Sequence, residues 1–155
     1  MDGVFLDTDS LHPQDLDLSV LESCLPRWRF HDAGEAADTA ERLAAAEVVV
    51  TNKVVLDAAL IDAADRLRLI CVAATGTDNV DLEAAARRGI PVCNARGYAT
   101  PSVAEHVFGL LLTLVRRLDD YRDRVRRGEW AASRFFCLFG EPMQELAGRT
   151  LGIVG

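Results

Sequence analysis

The residues best suited to chemistry sit in Ala74-Thr75-Gly76, directly after the apolar run Leu69-Ile-Cys-Val-Ala73. A glycine lets the main chain approach a ligand, and successive oriented N–H groups can give charge-assisted hydrogen bonds to an anion such as a carboxylate. The same residues would also serve as the tight strand-to-helix joint that any α/β domain needs, and taken alone they favour that plainer use. A second stretch, Asn52-Lys53, follows Val48-Val-Val-Thr51, and Lys53 is the single lysine among 17 lysines and arginines. A lone ammonium at a strand end could steer an acidic substrate; otherwise it belongs to a solvated loop. His106 falls one turn into an apolar helical run, where an imidazole is usually packed with one ring nitrogen satisfied. His12 and His31 have no supporting constellation and read as surface residues.

Elements that could position these groups are legible on either side. Leu69–Ala73 is too short and too β-branched for a helix, and Thr75-Gly76-Thr77-Asp78 stops it, so it reads as a buried strand. Asp81 can cap a helix over Leu82 to Arg88, Gly89 can supply its left-handed stop, and Ile90-Pro-Val-Cys93 forms the next strand. Such a unit is a right-handed parallel crossover, and open α/β sheets bind ligands at the carboxyl ends of their strands, where Thr75-Gly76 and residues 94–100 fall. Upstream, Val4-Phe-Leu6 reads as strand one, with Asp7-Thr-Asp-Ser10 as a turn. Leu16 to Leu25 then reads as a helix stopped by Pro26, Trp28 to Phe30 as a brief strand and Ala33 to Ala46 as a helix. Val48 to Thr51 follows as a strand, and Asp57 caps a helix over Ala58 to Ala64.

Five short strands alternating with helices indicate an α/β fold, a flavodoxin-like parallel sheet with helices on both faces, its strands apolar throughout because both faces are buried. After Thr100 comes the longest helix, to Arg127, with Pro101 suited to its first turn and Ser102-x-x-Glu105 to a capping box. Its half from Val107 to Val115 is apolar all round and expects burial on several sides. The rest interleaves charges, pairing Asp119 with Arg122, Asp120 with Arg124 and Asp123 with Arg127. Gly128 ends it. Residues 129–144 read as an ordered linker pinned by Trp130, Phe135, Phe136 and Phe139, and Thr150-Leu-Gly-Ile-Val-Gly155 as the beginning of a new strand.

With 155 residues, 50% of them hydrophobic, the chain can bury a core of single-domain size. A net charge of -7 argues against nucleic acid, whose phosphates need a positive field. Cys24, Cys71, Cys93 and Cys137 stand far apart with no C-x-x-C pair, and Cys71 and Cys93 fall inside predicted buried strands as small hydrophobes, so neither a disulfide framework nor a metal site is expected. No basic-then-apolar leader precedes the first strand, and Val107 to Val115 is far short of the ~20 residues that span a bilayer. The expected location is cytoplasmic, with no membrane partner.

Ala74-Thr-Gly-Thr-Asp-Asn-Val-Asp81, Gly89-Ile-Pro-Val-Cys-Asn94 and Ser102-Val-Ala-Glu-His106 follow one another in order, and that ordered set resembles the D-isomer-specific 2-hydroxyacid dehydrogenases. Gly3-Val-Phe-Leu-Asp7 and Thr51-Asn-Lys53 look most like the glycerate dehydrogenase or hydroxypyruvate reductase branch. The resemblance implies a substrate-binding domain over 1–100, an interdomain helix and linker over 101–145, and over 146–155 the first strand of an incomplete Rossmann domain, Gly155 matching the first glycine of its G-x-G-x-x-G turn. It implies hydride transfer between NAD or NADP and a small 2-hydroxy or 2-keto acid such as hydroxypyruvate or glyoxylate. Ala74, Thr75 and Gly76 would then hold the substrate carboxylate, Asn52 and Lys53 would face the substrate cleft, and Thr75 and Val103 would lie against the cofactor. A homodimer through the 101–127 helix is implied as well. The family's catalytic histidine, with its arginine and glutamate partners, matches nothing up to Gly155, so no residue here is expected to be catalytic and these residues alone are expected to be inactive.

Two other readings compete. Phe5-Leu-Asp-Thr-Asp9 looks like the nucleophile loop of haloacid-dehalogenase-type phosphatases, where Asp7 would attack phosphorus, Asp9 would be the general acid and magnesium would bridge them. Leu11 departs from that pattern, and no later strand ends in the paired acids the metal needs, since Asp119-Asp120 falls within a helix. The remaining reading is a non-catalytic flavodoxin-like binding module, since that fold hosts many functions.

Overall fold

Val48-Val-Val-Thr51 is β-branched at every position and buried at every position, and the sheet is built around it. In this computed structural model, which describes residues 1–32 and 36–154, the strands are β1 (Asp2–Phe5), β2 (Arg27–Phe30), β3 (Val48–Thr51), β4 (Leu69–Val72) and β5 (Val92–Asn94). All pairs are parallel, in the order β2-β1-β3-β4-β5. The helices are α1 (Ser19–Cys24), α2 (Ala36–Ala44), α3 (Ala58–Ala63), α4 (Leu82–Arg87), α5 (Thr100–Val115) and α6 (Leu118–Arg126). The chain divides into two compact units, Met1–Gly97 and Tyr98–Gly155.

The first unit is the α/β layering expected. Helices α2, α3 and α4 pack in series, over a core that includes Val4, Leu6, Leu43, Val49, Leu56, Ile61, Ile70, Val72 and Ala84. The β1-to-β2 crossover runs the other way along the sheet, which by the right-handed rule sends α1 to the opposite face; α1 buries none of its residues. Two helix starts follow their caps, Asp57 accepting from the Leu60 N–H at 2.9 Å and Asp81 from the Ala84 N–H at 2.8 Å. Gly89 takes the left-handed stop at φ 67°. Arg88 returns its guanidinium to the carbonyls at the end of α3, donating to Ile61 and, at 3.0 Å, to Ala64.

Several expectations are corrected. Strands apolar because both faces are buried holds for β3 and for β1 from Gly3 to Phe5: β4 alternates buried Ile70 and Val72 with half-buried Leu69 and Cys71, the edge strand β2 alternates exposed and half-buried residues, and the edge strand β5 is largely exposed. Edge strands have a neighbour on one side only, and a thin helical layer does not reach them. Cys93 is accordingly exposed and Cys71 half-buried. The helix expected over Leu16 to Leu25 shortens to α1, preceded by 3-10 turns at Thr8–Leu11 and Pro13–Asp15; the Asp17 carboxylate takes the Ser19 N–H at 3.0 Å, so winding begins only there. The helix expected from Ala33 is described from Ala36, its first residues lying outside the described ones.

In the second unit the single helix expected over 101–127 is two. Arg117 has φ 52°, in the left-handed region, between α5 and α6. In an unbroken helix the Val115 carbonyl would accept from residue 119; here it accepts from the Gln144 N–H at 3.0 Å. A tertiary contact replaces the helical bond, and no proline or glycine marks the break. Helix α5 starts at Thr100 with Ala99 as cap and no side-chain cap bond, so Ser102 lies in its first turn and no capping box forms. No side chain of α5 is buried, contrary to the expected burial of Val107 to Val115, and His106 is exposed rather than packed. Asp119 pairs with Arg122 at 3.0 Å as expected, but Asp120 pairs with Arg117 and Arg127 with Glu129. The 129–144 segment is held less by ring burial than by Arg124, which donates to the Glu129 carboxylate and the Phe139 carbonyl at 2.7 Å each, and by Trp130 Nε1 donating to Phe136 O. Leu151–Val154 pairs with no strand among the described residues.

Candidate functional site

At the carboxyl edge of the sheet, the chain leaves β1, β3, β4 and β5 through loops that hydrogen-bond to one another. Asp7, beyond β1, is 4% exposed. Its carboxylate accepts from three successive backbone N–H groups of the loop after β3: Asn52 at 2.9 Å, Lys53 at 2.6 Å and Val54 at 3.3 Å. Such a concave run of amides is an anion site, and here the protein fills it with its own carboxylate. The side-chain amide of Asn52 is spent as well, donating to Ser10 O and Ser10 Oγ at 3.2 and 3.0 Å. The expected pair therefore divides. Asn52 is buried and internally bonded, while the exposed Lys53 ammonium has no side-chain partner among the described residues.

Asn79 sews this loop to the next. Its Nδ2 donates to Val54 O at 3.1 Å, its carbonyl accepts from Leu56 N at 2.8 Å, and the Asp81 N–H returns to Leu56 O at 2.9 Å. Asn79 stands three residues before α4 on the loop that begins with Ala74-Thr75-Gly76, so Lys53 and the glycine turn belong to one edge of one unit.

The turn itself is held by its carbonyls and its hydroxyl. Ala73 N makes the last bond back to the sheet, to Thr51 O at 2.8 Å. Ala74 O then accepts from Ala95 N at 3.0 Å, Thr75 O from Asn94 Nδ2 at 2.6 Å, and Thr75 Oγ1 donates to Ala95 O at 2.9 Å. With those groups strapped to the end of β5, the N–H groups of Ala74, Thr75 and Gly76 find no acceptor among the described residues. Thr75 and Gly76 are exposed and Ala74 half-buried. Gly76 does not take a left-handed conformation; what it supplies is room, since a Cβ there would lie 2.9 Å from Asp78 Oδ1. Asn94 and Asn79 had no residue-level signal beyond their place at strand and turn ends.

Val103 lies in the first turn of α5, 57% exposed, in the second unit. Gly155 lies outside the described residues. His31, expected at the surface, is half-buried, since its backbone bonds Phe5 O and the Thr8 N–H at the edge of β1; its Nε2 finds no partner among the described residues. Burial first, and then the nearby Arg42 and Arg29 charges, hold its pKa below the usual imidazole value. The phosphatase reading fails on geometry: a buried Asp7 carboxylate holding three backbone N–H groups is a structural clamp, not a nucleophile.

Residues 5–149 match the family described as D-isomer specific 2-hydroxyacid dehydrogenase, catalytic domain. The chain belongs to that family. Among these dehydrogenases it is 43% identical over 154 residues to the glycerate dehydrogenase of Methylorubrum extorquens and 33% identical over 155 residues to the hydroxypyruvate reductase of Blautia hydrogenotrophica. Each alignment covers 98% of this chain and 48% of the relative, so the chain spans about half the length of these relatives. The fold is shared with the D-lactate dehydrogenase of Aquifex aeolicus, solved with NAD and lactic acid, at a TM-score of 0.70 and 27% identity, covering 92% of this chain and 41% of that one. The glycerate dehydrogenase and hydroxypyruvate reductase likenesses fall on the branch suggested by the opening Gly3–Asp7 and Thr51–Lys53 segments. Among the described residues, no helix is long and apolar enough to cross a membrane.

Proposed function

We propose that this chain supplies the substrate-carboxylate half of a D-2-hydroxyacid dehydrogenase, which transfers a hydride between NAD(P)H and a small 2-keto acid of the hydroxypyruvate or glyoxylate kind. The observation that carries the reading is the Ala74-Thr75-Gly76 turn, whose carbonyls are tied to Asn94 and Ala95 while its N–H groups have no protein acceptor. Oriented amides of this kind stabilise a carboxylate by charge-assisted hydrogen bonds. The Asp7 carboxylate on the amides of residues 52–54 is an internal instance of the same chemistry, one strand away. Lys53 adds a positive charge on the same edge, useful for steering an anion into a protein of net charge -7.

In this proposal the nicotinamide cofactor supplies the hydride, and Thr75 and Val103 are the residues of the described chain that lie against it. Gly155 would open the dinucleotide turn. The general acid and the cationic clamp of the reaction are assigned to none of the described residues. A second copy of the chain is the partner proposed for α5, whose Val107, Phe108, Leu110 and Leu114 are all exposed; an isologous apolar face is the simplest symmetric assembly.

The test is twofold. Glyoxylate titrated into the isotope-labelled chain should shift the amide resonances of Thr75 and Gly76 and leave those of Asn52 and Val54 in place. Joined to the nucleotide-binding half of the Methylorubrum extorquens relative, the chain should oxidise NADH or NADPH with hydroxypyruvate or glyoxylate. No shift at Thr75 and Gly76 together with no turnover in the chimera would end the reading.

A further inference from the structure

We propose that Cys71 and Cys93 are the two halves of a reversible intrachain disulfide, formed by a peroxide, that displaces the Ala74-Thr75-Gly76 turn. The two residues are direct register partners on neighbouring parallel strands, with Val72 opposite Asn94 one step further on. Register partners project from the same face of a sheet, and adjacent strands run about 4.7–4.9 Å apart. That spacing lies inside the range of about 4.4–6.8 Å over which two Cα atoms can be bridged, toward its short end. A bridge made there works against the strand spacing, and bridges made under strain are the ones most readily reduced again. Cys24 lies on α1 and Cys137 in the second unit, and neither is in register with another cysteine.

Access and acidity set the order of events. Cys93 is exposed on the edge strand, whereas Cys71 is half-buried. Burial first, and then the neighbouring Cys93, raise the Cys71 thiol above the usual value, so Cys93 is the thiol that reacts with a solvent oxidant. The Cys93 thiolate attacks one oxygen of hydrogen peroxide, the O–O bond breaks, and after proton uptake water leaves with Cys93 as a sulfenic acid. Cys71 then attacks the Cys93 sulfur, losing its thiol proton, and the sulfenic oxygen departs as a second water. Two thiols are oxidised to one disulfide and one peroxide is reduced to two waters. A dithiol reverses the step by exchange.

The consequence follows from what the next residues do. Asn94 donates to Thr75 O, Ala95 N to Ala74 O, and Thr75 Oγ1 to Ala95 O. These bonds strap the turn to the end of β5, immediately after Cys93. Bridging Cys71 to Cys93 pushes β4 and β5 apart toward the wider separation a disulfide prefers, about 5.5–6 Å between Cα atoms, and that moves the strap. This regulatory half of the inference rests on the carboxylate reading given above; the disulfide itself does not.

The experiment uses the reduced 155-residue chain exposed to hydrogen peroxide. Thiol titration should fall from four to two, intact mass should drop by two hydrogens with no covalent dimer, and digestion should yield one peptide linking Cys71 to Cys93. Dithiothreitol should restore all of it. Cys93→Ser should keep its remaining thiols, and Cys24→Ser should still form the link. The amides of Thr75 and Gly76 should shift on oxidation, and glyoxylate should bind the oxidised chain about tenfold more weakly, the scale of one lost charge-assisted bond. Overoxidation of Cys93 without a link, a link to Cys24 or between chains, or linkage that leaves the Thr75 and Gly76 amides unmoved would each overturn the proposal. Oxidation-induced shifts in a chain whose amides ignore glyoxylate in both forms would support the disulfide and sink only the carboxylate reading.

Discussion

Replacing Asp7 by asparagine tests the clamp at the centre of the loop network. The side chain is isosteric, so packing is conserved and only the charge and one acceptor are lost. The oxygen that remains will settle at the Oδ2 position, because from there it still receives the N–H groups of Lys53 at 2.6 Å, Val54 at 3.3 Å and Asn52 at 3.2 Å. The new amide nitrogen then faces the Asn52 N–H across the 2.9 Å that Oδ1 now occupies, donor against donor. A bond to a charged group contributes about 1.5–3 kcal/mol and a neutral one about 0.5–1.5, so about 1 kcal/mol is lost at each of three N–H groups. The total is about 3 kcal/mol. In a unit of roughly this size, each kcal/mol moves the melting temperature by about 4–8 °C, giving a fall of well over 10 °C. Urea denaturation followed by circular dichroism, with parallel thermal scans, would measure it. Asp7→Ala should be worse, because all three N–H groups are then buried without an acceptor. If Asp7→Asn is within about 0.5 kcal/mol of the parent, the size expected of an unremarkable surface change, the carboxylate does not hold the loop and the reasoning fails.

The other predictions concern the turn, the cation and the half-buried histidine. Gly76→Val should displace Asp78 and the turn amides with it, raising KM in the chimeric enzyme about ten- to hundred-fold, the scale of one charge-assisted bond; unchanged kcat/KM would place the carboxylate elsewhere. Thr75→Ser keeps the hydroxyl that bonds Ala95 O and should be mild, whereas Asn94→Ala frees the Thr75 carbonyl and should raise KM; equal effects of the two would contradict the strap. Lys53→Ala should lower kcat/KM chiefly at low salt, and a loss that persists undiminished at high salt would mean direct contact rather than steering. Because the folded-state pKa of His31 is depressed, its contribution to stability is present above the ordinary imidazole value of 6.5 and is lost as pH falls through the lower folded value. His31→Asn should flatten that acid limb of the stability curve, and an identical pH profile in both proteins would show that His31 does not titrate on folding. Sedimentation at rising concentration should reveal association through α5, abolished by Leu110→Glu; a dispersed monomer of the parent chain throughout would count against the dimer.

What the sequence by itself determined is everything set by neighbours within a few residues. The run Val48–Thr51 became β3 with the bounds read from its composition, and Asp57 and Asp81 capped the helices they precede, because a cap bond spans three residues and needs no tertiary partner. Gly89 closed α4 for the same reason. The glycine turn after β4 and the acidic turn after β1 were both legible as places where the chain leaves the sheet, and the ordered motifs from Ala74 to His106 were enough to recognise the family.

Only the tertiary structure decided what those places do. Asp7 reads as a turn residue, with a nucleophile as the competing reading, until β1 and β3 lie side by side and bring Asn52, Lys53 and Val54, distant in sequence, onto its carboxylate. Asn52 looked available for a substrate until Ser10 took its amide, and the turn at Thr75 had unclaimed donors only once Asn94 and Ala95 had claimed its carbonyls. The break at Arg117 has no local cause, because the Gln144 N–H that takes the Val115 carbonyl arrives from a later segment. Cys71 and Cys93 looked like buried core residues until the strand order put β5 at an edge. In each case a hydrogen-bonding group or a face had two satisfactory local fates, and the choice between them was made by which distant backbone was set beside it, by the parallel sheet in the first unit and by the 129–144 segment at Arg117.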